Sequence, residues 1–182
     1  MRRTTRKLSL LALVLLAPGL IAGCGNSNEE DELHAVEGEP LELGSLLYNV
    51  QITRFLNPSD AEDSGYLEGL PDPDAGQDYL AVFMRIQNEG EEAQAIASSF
   101  TITTSRRETF EPVEIENPFA LPLGAEIPAG GQLPAIDSAP ASGPIKGSMV
   151  LYLIDTAATD NRPLELEIPG PDGENGTIEL DI

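Results

Sequence analysis

The chain has no tryptophan, one cysteine and one histidine in 182 residues. Each scarcity closes a set of options. With no Trp and few other aromatics, a core has to be built mainly from Leu, Ile, Val and Ala. The lone Cys24 excludes an intramolecular disulfide. The lone His34 lies in an acidic, aperiodic stretch, a poor place for a metal site or a Ser–His pair. Basic residues are scarce too, ten Lys+Arg against 31 Asp+Glu. Such a surface repels phosphate backbones and anionic lipid, so nucleic acid is not an expected partner. No GxSxG, HExxH or P-loop pattern occurs, and no base–nucleophile pair stands out. The chain reads as a non-enzyme without a resident cofactor.

What is present starts at the N-terminus. Arg2, Arg3, Arg6 and Lys7 precede an apolar run from Leu8 to Ile21. The small pair Ala22-Gly23 and Cys24 follow. A charged region, an apolar region and a small-residue cleavage site make a secretory signal peptide. The run is shorter than the about 20 apolar residues of a permanent span. The cysteine after Ala22-Gly23 resembles a bacterial lipobox, which implies removal of residues 1–23 and acylation of the Cys24 thiol. The expected location is the extracytoplasmic side of a cell membrane, held by lipid on Cys24. Four of the ten basic residues leave with the leader, so six face 31 acidic ones, a net −25.

Residues 24–40 read as the lipidated cysteine and a disordered acidic tether, since Gly25–Pro40 carries six acidic residues and no periodicity. As a flexible coil its root-mean-square span is about 20–25 Å. Residues 41–182 read as the folded domain. Tyr48, Val50 and Ile52 alternate with polar residues, the period of a half-buried strand. The segment 79–88 is apolar on both faces through Tyr79–Met84, as a central strand is, and 147–155 reads the same way. Residues 100–104 and 109–115 flank Ser105-Arg106-Arg107-Glu108 as a hairpin. Leu164, Leu166, Ile168 and then Ile178, Leu180, Ile182 alternate with acidic residues. Prolines at 118, 122, 128, 134, 140 and 144 exclude a helix of ordinary length between Glu116 and Pro144. Seven or eight strands without a convincing helix predict an antiparallel β-sandwich of immunoglobulin-like type. Leu80, Val82, Met84, Ile86, Leu151, Leu153, Leu166 and Leu180 are its expected core.

Three segments, YNVQITRFLNP at 48–58, YLAVFMRIQNEGEE at 79–92 and KGSMVLYLI at 146–154, carry a resemblance to a family. With the lipobox, the chain resembles exported bacterial lipoproteins that bear one telokin-like, or immunoprotective-extracellular, immunoglobulin-like domain. The resemblance implies that fold and that location. It implies no catalytic residues.

Two candidate sites remain. Asp72, Asp74 and Asp78 surround Gly76 in the long 59–78 connection, a spacing that can gather oxygen ligands for Ca²⁺. The twelfth position counted from Asp72 is Phe83, not Glu, so the segment is not an EF-hand loop. A weak Ca²⁺-dependent accessory or adhesion domain is the alternative function. The same residues also suit a Pro/Asp turn feeding a strand. Tyr66 and Leu67 in that connection, and Arg106 and Arg107 on the hairpin, are candidate contacts to an envelope protein. The plainer readings are packing over the sandwich for the first pair and a solvated turn for the second. Cys24→Ser should release the domain from the membrane or leave an uncleaved precursor. Mass spectrometry of the membrane fraction checks this, and an unmodified Cys24 there would contradict the anchor.

Overall fold

Alternation of aliphatic and polar residues builds strands here because each strand has a buried face to fill. The computed structural model describes residues 32–182. The leader and Cys24 lie outside the described residues. Twelve strands occur in order: β1 (Glu32–Val36), β2 (Pro40–Leu43), β3 (Leu46–Leu56), β4 (Gln77–Asn88), β5 (Gln94–Ala95), β6 (Thr101–Thr104), β7 (Thr109–Phe110), β8 (Glu126–Ile127), β9 (Gln132–Leu133), β10 (Ser148–Asp155), β11 (Leu164–Pro169) and β12 (Asn175–Leu180). Among the described residues, one short helix, α1 (Ala139–Ser142), and two 3-10 turns complete the elements. One sheet runs β1-β12-β11-β6-β7, and the facing sheet runs β10-β4-β3-β2 with β9 also on β4. β5 and β8 form a small separate pair. The fold is an all-β sandwich.

β4 is the centre of its sheet. It pairs with β3 along Tyr79–Asn88 and with β10 along Gln77–Met84. Leu80, Val82, Met84 and Ile86 face the second sheet, where Ile102, Leu166, Ile168 and Ile178 meet them. Tyr79, Ala81 and Phe83 face the other way, into a second apolar cluster. Leu166 and Leu180 lie in the inter-sheet core as expected. Leu151 and Leu153 do not. Register sets Val150 opposite Val82 and Tyr152 opposite Leu80, so Val150, Tyr152 and Ile154 face the other sheet. Met149, Leu151 and Leu153 belong to the outer cluster, and Leu153 is only partly buried.

β3 carries a similar reversal. Its pairing with β4 skips a residue between Val50 and Ile52, a bulge. One extra residue turns every later side chain to the opposite face. Tyr48 and Val50 point into the core, whereas Ile52 is 39% exposed and Thr53 takes the inward place.

The acidic stretch before Leu41 is also ordered in part. Glu32–Val36 lies parallel to β12, with Glu32 opposite Asn175 and His34 opposite Thr177. The fold therefore includes Glu32–Val36, ahead of the expected start at Leu41. Apolar periodicity is weak there because an edge strand is held chiefly by backbone hydrogen bonds to its one neighbour. At the end of β1 the Glu37 carboxylate accepts from Thr53 N–H at 3.0 Å and from Asp181 N–H at 3.1 Å, joining both sheets.

Four tyrosines are buried, and two of them bond the core backbone: Tyr152 donates to the Phe100 carbonyl at 2.9 Å and Tyr48 accepts from Ala97 N–H at 3.1 Å. Burial raises the phenols of Tyr48, Tyr66 and Tyr79, and raises Tyr152 furthest above the ordinary tyrosine value. The folded state thus resists an ionisation that the unfolded chain undergoes near pH 10. Stability should be intact below that pH and fall as pH rises through it. In thermal melts between pH 8 and 11.5, Tyr152→Phe should be less stable at pH 8, having lost the bond to Phe100, yet lose less on alkalinisation than the parent. Parallel curves would contradict this.

Candidate functional site

The outer face of β4 and β10 needs a cover, and two irregular segments supply it. The first is the 57–76 connection. Asp63 is buried within it, accepting from Arg54 Nη2 at 2.5 Å and from Asn57 N–H at 2.9 Å. That pair fixes the exit from β3, because a buried carboxylate is tolerated only when paired and hydrogen-bonded. Tyr66 and Leu67 then drop onto the outer cluster and are 3% and 7% exposed. The Tyr66 ring lies 5.1 Å from Phe83 and 4.7 Å from Phe119, both edge-on. These two residues are therefore packing groups, not exposed contacts for a partner. The physical reason is the apolar outer face of β4, which has no second sheet to cover it.

The second cover is the chain from Pro112 to Leu121, which straps the open edge of β10. Val113 N–H donates to the Leu151 carbonyl at 2.7 Å. Farther along, Met149 N–H donates to Phe119 at 2.7 Å and Leu121 N–H donates to Met149 at 2.8 Å. Between these fixtures the strap leaves the strand. Asn117 holds the corner: its Nδ2 donates to the Tyr66 carbonyl at 2.9 Å, and its Oδ1 accepts from Phe119 and Ala120 N–H at 3.0 and 3.1 Å.

A strap fixed at two places leaves a groove of about 520 Å³ against β10. That volume falls within the range of small-ligand pockets, about 300–1,000 Å³. Met149 and Leu151 form its floor, and Val113, Ile115, Leu121 and Leu123 its walls. Glu114 and Glu116 add exposed carboxylates at its border. The sequence reading missed this groove. The one available signal was the aliphatic residues of the strap and the Pro-rich run, which recur without strand or helix period.

The remaining candidates lie elsewhere. Arg106 and Arg107 are exposed on the β6–β7 turn, where Thr104 Oγ1 accepts from Arg106 and Glu108 N–H at 3.3 and 3.2 Å. Arg107 holds φ 64°, a turn conformation uncommon for a side-chain-bearing residue. Asp72, Asp74 and Asp78 do not converge. Asp78 Oδ2 accepts from Thr156 Oγ1 at 2.7 Å, Asp74 lends its main-chain carbonyl to Gln77 N–H at 2.9 Å, and Asp72 is exposed. Among the described residues no group of three or more His, Cys, Asp or Glu is placed to hold a metal ion. The segment is the Asp/Pro turn that feeds β4. Millimolar CaCl₂ should therefore shift the melting temperature of the parent and of Asp74→Asn equally, by diffuse screening of an acidic surface. A shift confined to the parent would restore the calcium reading.

No protein-family model matches the chain, and no curated protein matches it. Solved structures do. The yjhA protein of Bacillus subtilis superposes with a TM-score of 0.52 at 13% identity, over 81% of this chain and 99% of that one. An uncharacterized β-sandwich protein of Clostridium difficile 630 superposes at 0.51 and 12% identity, over 86% and 99%. A candidate lipoprotein of Bacillus subtilis, ycdA, superposes at 0.51 and 14% identity, over 80% of this chain but only 38% of that one. At these identities the likeness is one of fold, and the Clostridium difficile neighbour is a β-sandwich as this chain is.

Proposed function

We propose that this protein is a lipid-anchored, non-catalytic binding module on the extracytoplasmic side of the cell envelope, and that it holds its partner in the strap groove. The groove is the observation that carries the binding half of this reading. Its floor and walls are aliphatic, and its two titratable groups are the border carboxylates of Glu114 and Glu116. Such a lining selects by shape and charge. Its occupant is an extended segment of another envelope protein, with an aliphatic side chain for the groove and a Lys or Arg for the two carboxylates. The anchoring half rests on the leader and Cys24, and the structural likeness to a candidate lipoprotein supports it. Placement among telokin-like domains is part of the same reading, supported by the sandwich and the three strand segments named above.

Leu123 tests the groove without touching the core, because it is 42% exposed. A photo-crosslinking residue at position 123, in the anchored protein on intact cells, should capture an envelope protein. Leu123→Asp should lose that partner in pull-downs with the melting temperature within a degree or two of the parent, as surface changes typically stay within about 0.5 kcal/mol. Capture that survives Leu123→Asp, or no crosslink at all, would overturn the groove as the binding site.

A further inference from the structure

We infer that the domain stands on the membrane in one polarity, with the β2–β3 and β11–β12 turns toward the lipid and the Arg106-Arg107 hairpin outward. The inference rests on acylation of Cys24 and adds to it a consequence of where β1 begins. Eight Cα steps separate Cys24 from Glu32. Fully extended, at 3.3–3.6 Å per step, they reach about 26–29 Å. β3 has eleven residues, so the sandwich is about 36 Å long. The tether is shorter than the domain.

Register shows which end receives the tether. Glu32 pairs with Asn175 beside the β11–β12 turn. Gly44 N–H, on the β2–β3 turn, donates to Glu174 Oε2 at 3.1 Å, so both turns share that end. The opposite end gathers the 57–76 connection, the β6–β7 hairpin and the turn after β10. There Ser105 N–H donates to the Asn161 carbonyl at 3.0 Å and Thr156 N–H to the Gly76 carbonyl at 2.9 Å. Inversion would lift Glu32 about 36 Å from the lipid, beyond its tether. A tether running to Leu41 would reach about 55–60 Å and permit either pose. Lying flat on the β11–β12 flank is opposed by Glu167 and Glu179, which are exposed there and repelled by anionic headgroups.

The test uses the full lipidated protein. Acylation consumes Cys24, so Asn175→Cys or Ser105→Cys supplies the single free thiol. Each is labelled with a donor dye and reconstituted into phosphatidylcholine–phosphatidylglycerol vesicles carrying a headgroup acceptor dye. Energy transfer from position 175 should exceed that from position 105 several-fold. Equal or reversed transfer in protein that floats with the vesicles would overturn the polarity and leave the anchor intact. Failure of both proteins to float would overturn the anchor, and the polarity with it.

Discussion

A strand apolar on both faces, β4, is the constraint on which the rest of this molecule depends. One face is satisfied by the second sheet. The other presents Tyr79, Ala81 and Phe83, and leaving such side chains in water costs roughly 1.5–3 kcal/mol for each large one. A single sandwich has no third sheet to offer. The chain answers with irregular segments, the 57–76 connection and the Pro112–Leu121 strap, each fixed by a polar residue that is itself satisfied. Asp63 serves the first and Asn117 the second. The Asn117–Tyr66 bond ties the two covers to each other. The groove follows from this arrangement: a strap must meet β10 to cover the sheet, but its prolines keep it from pairing continuously.

The same economy governs the sheet edges. β3 runs past its neighbour β2, which ends opposite Leu46–Asn49. An unpaired strand edge invites other strands. Here the bulge at Val50/Ile52 bends it, the Glu37 carboxylate occupies Thr53 N–H, and Arg54 Nε reaches the Phe55 carbonyl at 3.3 Å. On the other side of the sheet the strap caps β10. Charge and irregularity protect both edges.

The strands themselves were legible because alternation is a local signal. Residues 46–56, 77–88, 148–155, 164–169 and 175–180 all announce themselves by period two or by double-faced apolarity. Which face each residue takes was less legible. For Ile52 the period is broken by one inserted residue that has no sequence mark of its own. For Leu151 and Leu153 both faces of β10 are apolar, so only pairing with β4 decides. β1 was hidden by composition, since Glu-Leu-His-Ala-Val needs little burial to sit at an edge. Asp72, Asp74 and Asp78 show the opposite error. They are near in sequence, but Asp72 points to solvent and the Asp78 carboxylate is taken by Thr156, so the turn does not gather them. The groove was illegible because its walls come from residues 113–123 and its floor from 149–151, distant segments joined only by strap-to-strand bonds.

The parallel pairing of β1 with β12 also determines how the fold would bear a load applied at Glu32. With the proposed anchor at Cys24, a pull would enter the described fold at Glu32 and run along the β1 axis. All the β1–β12 hydrogen bonds then resist together, in shear, rather than opening one after another. At the far end of β1, Glu37 N–H donates to the Glu179 carbonyl at 2.8 Å, and the Glu37 carboxylate holds Thr53 of one sheet and Asp181 beside the other. The load therefore reaches both sheets through one residue. An antiparallel hairpin at the same edge, pulled from its open end, would part bond by bond. The proposed tether of eight Cα steps would leave little slack, and the strand that would receive it is stitched to both layers where it ends.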